Sequence, residues 1–188
     1  NVVSLFADRF GSALGALEDV QACTSDGTPP NITAPVGAGS TLTDHEGAAL
    51  AYSDLVALYT ALDQPYRSSS VWFTDRVGVA VLSKIITTEG FPLFSQQAGV
   101  PAIITDDSAD GIMFRKLVYE VPLVASTGTG VLWHAAPETY AWGRRAGISV
   151  RANEAAGWAT DSVAYRFTAR FDGAMLDAAG WVGIENFI

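Results

Sequence analysis

Leu5, Phe6, Phe10, Leu14, Leu17 and Val20 recur at spacings of one, three and four, which puts them on one side of a helix predicted over residues 2–23. Asp8 and Arg9 fall off that side. Thr24-Ser25-Asp26-Gly27-Thr28 and Pro29-Pro30 stop the helix and turn the chain. Residues 28–46 are rich in Pro, Gly and Thr and predict little regular structure. Ser53 is a good N-cap for a second helix from Asp54 to about Leu62, with Leu55, Leu58, Tyr59 and Leu62 as its buried stripe. Gln64-Pro65-Tyr66 ends it. Val71-Trp72-Phe73 reads as a short buried strand. Thr74-Asp75 caps a third helix with Val77, Val81, Leu82, Ile85 and Ile86 inward, ended by Glu89-Gly90.

The pattern then changes. Leu117–Val124, Gly130–Trp133, Thr139–Val150 and Asp161–Phe171 are rich in Val, Ile, Tyr, Trp and Phe between Gly, Pro and Asn, which predicts strands. Arg145-Ala146-Gly147 resembles a hairpin turn between Tyr140-Ala141-Trp142 and Ile148-Ser149-Val150. Val163, Tyr165, Phe167, Ala169 and Phe171 alternate with Ala164, Arg166, Thr168 and Arg170, a period of two with one polar face. Residues 180–187 read as a closing strand. Helices first and strands after place the chain in the α+β class. Trp72, Trp133, Tyr140 and Trp181 are expected to fill the core.

Composition adds bounds. The 188 residues suffice for one domain or two closely joined ones, and with 49% hydrophobic and 16% charged residues they can bury a sizeable core. The net charge is −9, and the 11 Lys and Arg form no run in the sequence. No basic stripe is visible of the kind that tight DNA binding requires. An acidic wall can still enclose DNA without adhering to it. The single cysteine, Cys23, allows no internal disulfide and reads as a small core hydrophobe. No stretch reaches the ~18 apolar residues of a membrane span, and none reads as a signal peptide. Asn31-Ile32-Thr33 matches a glycosylation acceptor in spelling only. The chain opens on Asn1 and enters helical sequence at once, so it is expected to be a processed or truncated product.

Candidate chemistry is sparse. His45 and His134 are the only histidines and, with Cys23, make no closely spaced zinc motif. There is no Gly-x-Ser-x-Gly elbow and no phosphate loop ending in Gly-Lys. Gly37-Ala38-Gly39 lacks a third glycine and follows no strand. Asp106, Ser108, Asp110 and Gly111 stand at the first, third, fifth and sixth places of a calcium loop, but Leu117 takes the twelfth place, where a bidentate Glu is required. A solvated turn fits better, with a weak cation site between subunits as the alternative. Arg144-Arg145 could contact a phosphate or a neighbour's acid, or simply be exposed. No catalytic, cofactor-binding or metal-ligating residue is assigned, and no enzyme is expected.

The order of the segments carries more than any one of them. Leu5 to Phe10, the rest of that helix and Ser25-Asp26-Gly27-Thr28 resemble the end of the spine helix in tailed-bacteriophage major capsid proteins, with Ser25 where that family often has Gly. Pro65-Tyr66-Arg67-Ser68 with Val71-Trp72-Phe73, and Gly90-Phe91-Pro92-Leu93-Phe94, resemble its next steps. So do Val118 to Val124, Val131-Leu132-Trp133 to Tyr140, Gly147 to Val150, Arg166 to Gly173 and Trp181-Val182. The resemblance runs from about Leu5 to Phe187 and implies the Hong Kong 97 type capsid fold. It places residues 1–30 at the end of the spine helix in a peripheral domain, 31–159 in an axial domain, and 160–188 as return strands of the peripheral domain. The family's N-terminal arm and extended β-hairpin loop have no counterpart in this sequence, and the acidic stretch from Ser95 to Lys116 is unassigned.

The function implied is structural: a head-shell subunit whose partner is itself, in hexamers and pentamers, around DNA bound without sequence specificity. Scaffold, portal or decoration proteins are further partners, no membrane is involved, and the location is the virion after assembly in the host cytoplasm. An encapsulin or gene-transfer-agent shell is the first alternative. A small α+β enzyme with an unrecognised site is the second.

Overall fold

The computed structural model describes residues 2–24, 27–28, 32–35, 41–86, 93–96, 109–121, 130–153 and 164–188. Helix α1 spans Val2–Thr24. Strand β1 is Thr41–Asp44, helix α2 Tyr52–Ala61, the single turn α3 Gln64–Arg67, strand β2 Val71–Thr74 and helix α4 Arg76–Leu82. Strands β3 to β6 are Ser95–Gln96, Gly111–Met113, Lys116–Glu120 and Val131–Ala135. Two long strands follow, β7 at Tyr140–Asn153 and β8 at Ala164–Met175, and β9 at Trp181–Glu185 closes the chain.

Seven strands form one mixed sheet in the order β1-β9-β6-β2-β5-β4-β3, and β7 and β8 form a separate antiparallel ladder. Strand β9 runs parallel to β1 and antiparallel to β6, while β2 runs parallel to β5. The central strands β6 and β9 are buried along their whole length. Their sequences therefore show no hydrophobic–polar alternation. Alternation still decides which side each residue serves. Trp72, Leu132, Val182 and Ile184 meet Leu55 and Leu58 of α2, Leu62 just after it and Leu82 of α4 on one face. Val131, Trp133, Ala135 and Trp181 form the core of the other, with Phe73 and Tyr140 against them.

Local chemistry sets the element ends, with some departures from expectation. Helix α2 starts earlier than Ser53 predicts: Ala51 is the cap residue and Asp54 Oδ2 accepts from its N–H at 2.8 Å. An alanine cannot cap with its own side chain, so the carboxylate three residues on supplies the bond. Pro65 begins α3 instead of ending helical structure, because the ring is tolerated in the first turn. Asp75 caps α4 as predicted, accepting from Gly78 N at 2.9 Å. That helix stops at Leu82, leaving Val77 and Ile86 exposed while Ile85 is buried. Glu89-Gly90, the tail of Leu117–Val124 beyond Val121, Gly37–Gly39, Ser25-Asp26 and Asp106 to Ser108 lie outside the described residues.

One hairpin expectation is corrected. Arg145-Ala146-Gly147 is not a turn, because β7 continues through it with register shifts between Arg144 and Ala146 and between Ala146 and Ser149. The extra residues are absorbed as bulges, which bend and twist a strand without reversing it. The tight hairpin lies instead between β4 and β5, at Phe114-Arg115, both with positive φ (50° and 64°). No glycine announces it. The Phe114 ring packs against Tyr59, with centroids 5.3 Å apart, and against Tyr52 and Trp72, which offsets the left-handed backbone.

The strands expected within residues 160–188 fall in two different sheets. Strand β8 pairs with β7 alone, whereas Trp181–Glu185 sits between β1 and β6 in the large sheet. Burial drives this placement, since all five residues of β9 are buried there.

Candidate assembly surface

The apolar stripe of α1 is an assembly candidate because the chain does not cover it. Phe6 is 60% exposed and Leu17 50%, and Val20 is also exposed. Among the described residues no α1 side chain joins either core cluster. Of the stripe predicted from periodicity, Phe6, Leu17 and Val20 are exposed and Phe10 and Leu14 half-buried. Helix α1 instead touches the ladder by its C-terminal end. Glu18 pairs with Arg144 of β7, and Gln21 faces Gly143, Arg170 and Asp172 across an open groove of about 780 Å³.

The ladder itself stands away from the core. Its strands are 14 and 12 residues long and pair only with each other. A lone two-stranded ribbon is marginal in water, and this one carries uncovered bulk: Trp142, Val150 and Tyr165 are all exposed. Trp142 stacks on Phe171 at 5.4 Å near the root, where the ladder meets the body. Of the alternation read from residues 163–171, Phe171 is covered at the root and Tyr165 is exposed further out, while Val163 lies outside the described residues.

Charge is segregated in a way the linear sequence hides. Strands β7 and β8 hold Arg144, Arg145, Arg151, Arg166 and Arg170 against one acid, Asp172, a net +4 on a chain of net −9. The basic residues therefore do form a stripe, through antiparallel pairing of two distant segments. Arg151 and Arg166 are direct cross-strand partners.

The other candidate groups are structural. His134 is fully buried, bonded through Nε2 to Ser70 Oγ at 2.8 Å, with its ring stacked on Trp72. Desolvation pushes its pKa down to about 4, against the opposing pull of the Leu58 backbone. His45 lies 3.6 Å from Asp54 at the surface. Asp110 turns back onto β5, its carboxylate accepting from Glu120 N and its N–H bonding Val118 O at 2.8 Å. Among the described residues, no group of three His, Cys, Asp or Glu could hold a metal ion. Among the described residues, no helix is long and apolar enough to cross a membrane.

Cys23 is half-buried rather than in the core. It lines an apolar cleft of about 230 Å³ with Ala22, Phe73, Trp133, Tyr140 and Trp181, between the end of α1 and the sheet. Burial, with Asp19 nearby, pushes its thiol up to about 11. The Tyr140 hydroxyl donates to Thr33 O at 2.8 Å beside this cleft.

Solved structures share the fold. The capsid of an empty GTA particle computed with C5 symmetry aligns over 97% of this chain and 64% of its own, with a TM-score of 0.74 at 15% identity. A structure of Gordonia phage Cozz aligns over 100% and 64%, with a TM-score of 0.66 at 15% identity. One of Mycobacterium phage Che8 aligns over 96% and 62%, with a TM-score of 0.61 at 14% identity. This chain thus spans somewhat under two thirds of each. No curated protein matches it. Its sequence matches the phage capsid family over residues 1–185, and the chain belongs to that family.

Proposed function

We propose that this chain is a structural subunit of a tailed-phage head shell, in which copies join as hexamers and pentamers around double-stranded DNA. The uncovered apolar side of α1 and the free-standing ladder carry the reading. A chain with two buried apolar clusters that leaves Phe6, Leu17, Trp142, Val150 and Tyr165 in water has surface fit for its own copies. Closed symmetry turns many modest contacts into a strong shell. The role is mechanical, its place is the virion, and DNA is enclosed without sequence-specific contacts. Scaffold, portal and decoration proteins would meet the outer or inner faces during assembly.

The division of labour follows the sheets. The seven-stranded sheet with α2 and α4, including β9, serves as the axial domain, and α1 with the ladder as the peripheral one. This moves residues 181–188 from the peripheral group to the axial one.

Electron microscopy of the full-length product tests the reading. Capsomers or closed shells are expected, and a protein that stays monomeric under all assembly conditions overturns it. A related container on the same fold is separated by what purified particles hold, cargo protein or DNA.

A further inference from the structure

We propose that the arginine face of the β7–β8 ladder docks onto an acidic cluster at the root of the same ladder in a second copy, as a head-to-tail contact between neighbours. The inference rests on the shell reading above and names a contact within it.

Register fixes the face. Arg151 stands directly opposite Arg166, and the next polar pair along is Ser149 and Thr168. Arg170 follows on the same side of β8 by alternation. Like charges placed directly opposite destabilise a ladder. Arg144, by contrast, pairs with Glu18. Among the described residues, Arg151, Arg166 and Arg170 have no ion-pair partner. Arg151 lies 11 residues along β7 from Tyr140, roughly 35 Å out at ~3.3 Å per residue.

The complementary charge sits at the root. Glu138 precedes β7 and Asp177 follows β8, and both are exposed, as is Asp63. They gather around α3: the Tyr66 hydroxyl donates to Asp177, Ser69 Oγ donates to Glu138, and Asp63 is near enough to act on Tyr66. The cations beside them are turned to backbone. Arg67 donates to Leu62 O at 2.6 Å and Thr60 O at 2.7 Å, and Lys116 to Ser68 O at 2.8 Å. With +4 on the ladder, the rest of the chain carries −13. Arg151 and Arg166 thus stand on the outer part of the ladder, and Glu138 and Asp177 at its root. A molecule with that arrangement meets its copies head to tail, which closes into rings rather than pairs.

Arginines on an exposed ladder also guard against edge-to-edge aggregation. Charge reversal separates the two roles, because glutamates guard equally well but cannot dock on acids. The experiment uses the full-length protein, with shells counted by sedimentation and electron microscopy and each variant's melting checked. Arg151→Glu with Arg166→Glu is expected to lower shell yield at least about tenfold, equivalent to ~1.4 kcal/mol of contact energy. Adding Asp63→Lys and Glu138→Lys is expected to restore it. If either reversal lowers the melting temperature, Arg151→Gln with Arg166→Gln reads the same loss without added charge. Wild-type yield from the reversed ladder overturns the proposal, as does failure of folded combined variants to recover. Normal yield with less packaged DNA overturns it in favour of a DNA contact. A wild-type protein that forms no shells defeats the shell reading instead.

Discussion

The imidazole of His134 lies flat on the indole of Trp72, ring centroids 4.2 Å apart and planes 18° from parallel. The two are cross-strand partners in β6 and β2, and Tyr59 covers the far side of the imidazole at 5.2 Å. Ser70 Oγ holds Nε2, while Nδ1 has no well-placed partner. The site therefore keeps the ring neutral, and burial lowers its pKa to about 4.

A pH dependence follows from this stack. Unfolded His134 binds its proton near pH 6.5 and the folded form only near about 4. The unfolded state thus holds more protons between those values, and stability falls as pH drops through that window. The full contribution is present above pH 6.5. The loss by pH 4 is about 3 kcal/mol at ~1.4 kcal/mol per unit. Urea unfolding of this chain from pH 7 to 4 measures it. The His134→Phe variant is expected to lose most of that slope, and an unchanged slope would refute the assignment.

Asp75 joins three elements through one oxygen. Its Oδ1 accepts from Gly78 N at 2.9 Å, capping α4, and from Val131 N at 3.1 Å at the start of β6. Asp75→Ala removes a cap worth ~1 kcal/mol and orphans a second donor. A loss of about 2–3 kcal/mol is expected in thermal or urea unfolding, with Asp75→Asn losing less. A loss under 0.5 kcal/mol would mean that water replaces both bonds.

Sequence periodicity revealed what depends on near neighbours. The span of α1, the Asp75 cap and strands β2 and β8 were legible because a helix or a strand imposes a local repeat. The large sheet was not, because β9 joins β1 from the far end of the chain and β6 from beyond the whole β7–β8 ladder. The arginine stripe was missed for the same reason: Arg151 and Arg166 are neighbours only through register. The exposure of Leu17 was invisible because an apolar stripe looks alike whether its cover comes from the same chain or another. The Phe114-Arg115 turn lacked its usual glycine signal, which tertiary packing of the Phe114 ring had replaced.

That turn can be improved. Arg115 holds φ at 64° and is exposed, so its side chain gains little there. Glycine adopts that conformation freely. Arg115→Gly is expected to raise stability by about 0.5–1 kcal/mol, since strain relief exceeds the entropy glycine adds to the unfolded chain. Phe114→Gly is expected to lower it, because the ring contacts with Tyr59 and Trp72 go with it. A rise in both variants would show that packing does not hold the turn.

The Cys23 thiol, held up at about 11 rather than 9.0, is expected to react slowly. At pH 8 the thiolate fraction is about a hundredfold below that of an unperturbed thiol, and the thiolate is the nucleophile. Alkylation of the folded chain by iodoacetamide measures it, with the urea-unfolded chain as the reference. A folded rate within threefold of the unfolded one would show that the cleft end of α1 opens readily.

The outer side of α1 separates folding from assembly. Leu17 and Val20 are 50% and 42% exposed. Replacing both with Asn removes little that the chain itself buries, so unfolding of this chain is expected to change by at most about 0.5–1 kcal/mol. A buried leucine lost from a core would cost about 2–5 kcal/mol instead. In the full-length product the same pair is expected to cut shell yield severalfold, because a neighbour can no longer bury two large aliphatic groups at ~25 cal/mol per Å². Centrifugation of assembled and free protein reads the second effect and calorimetry the first. A large fall in melting temperature would place these residues in the chain's own core. Unchanged yield with unchanged melting would show that the stripe faces water in the shell.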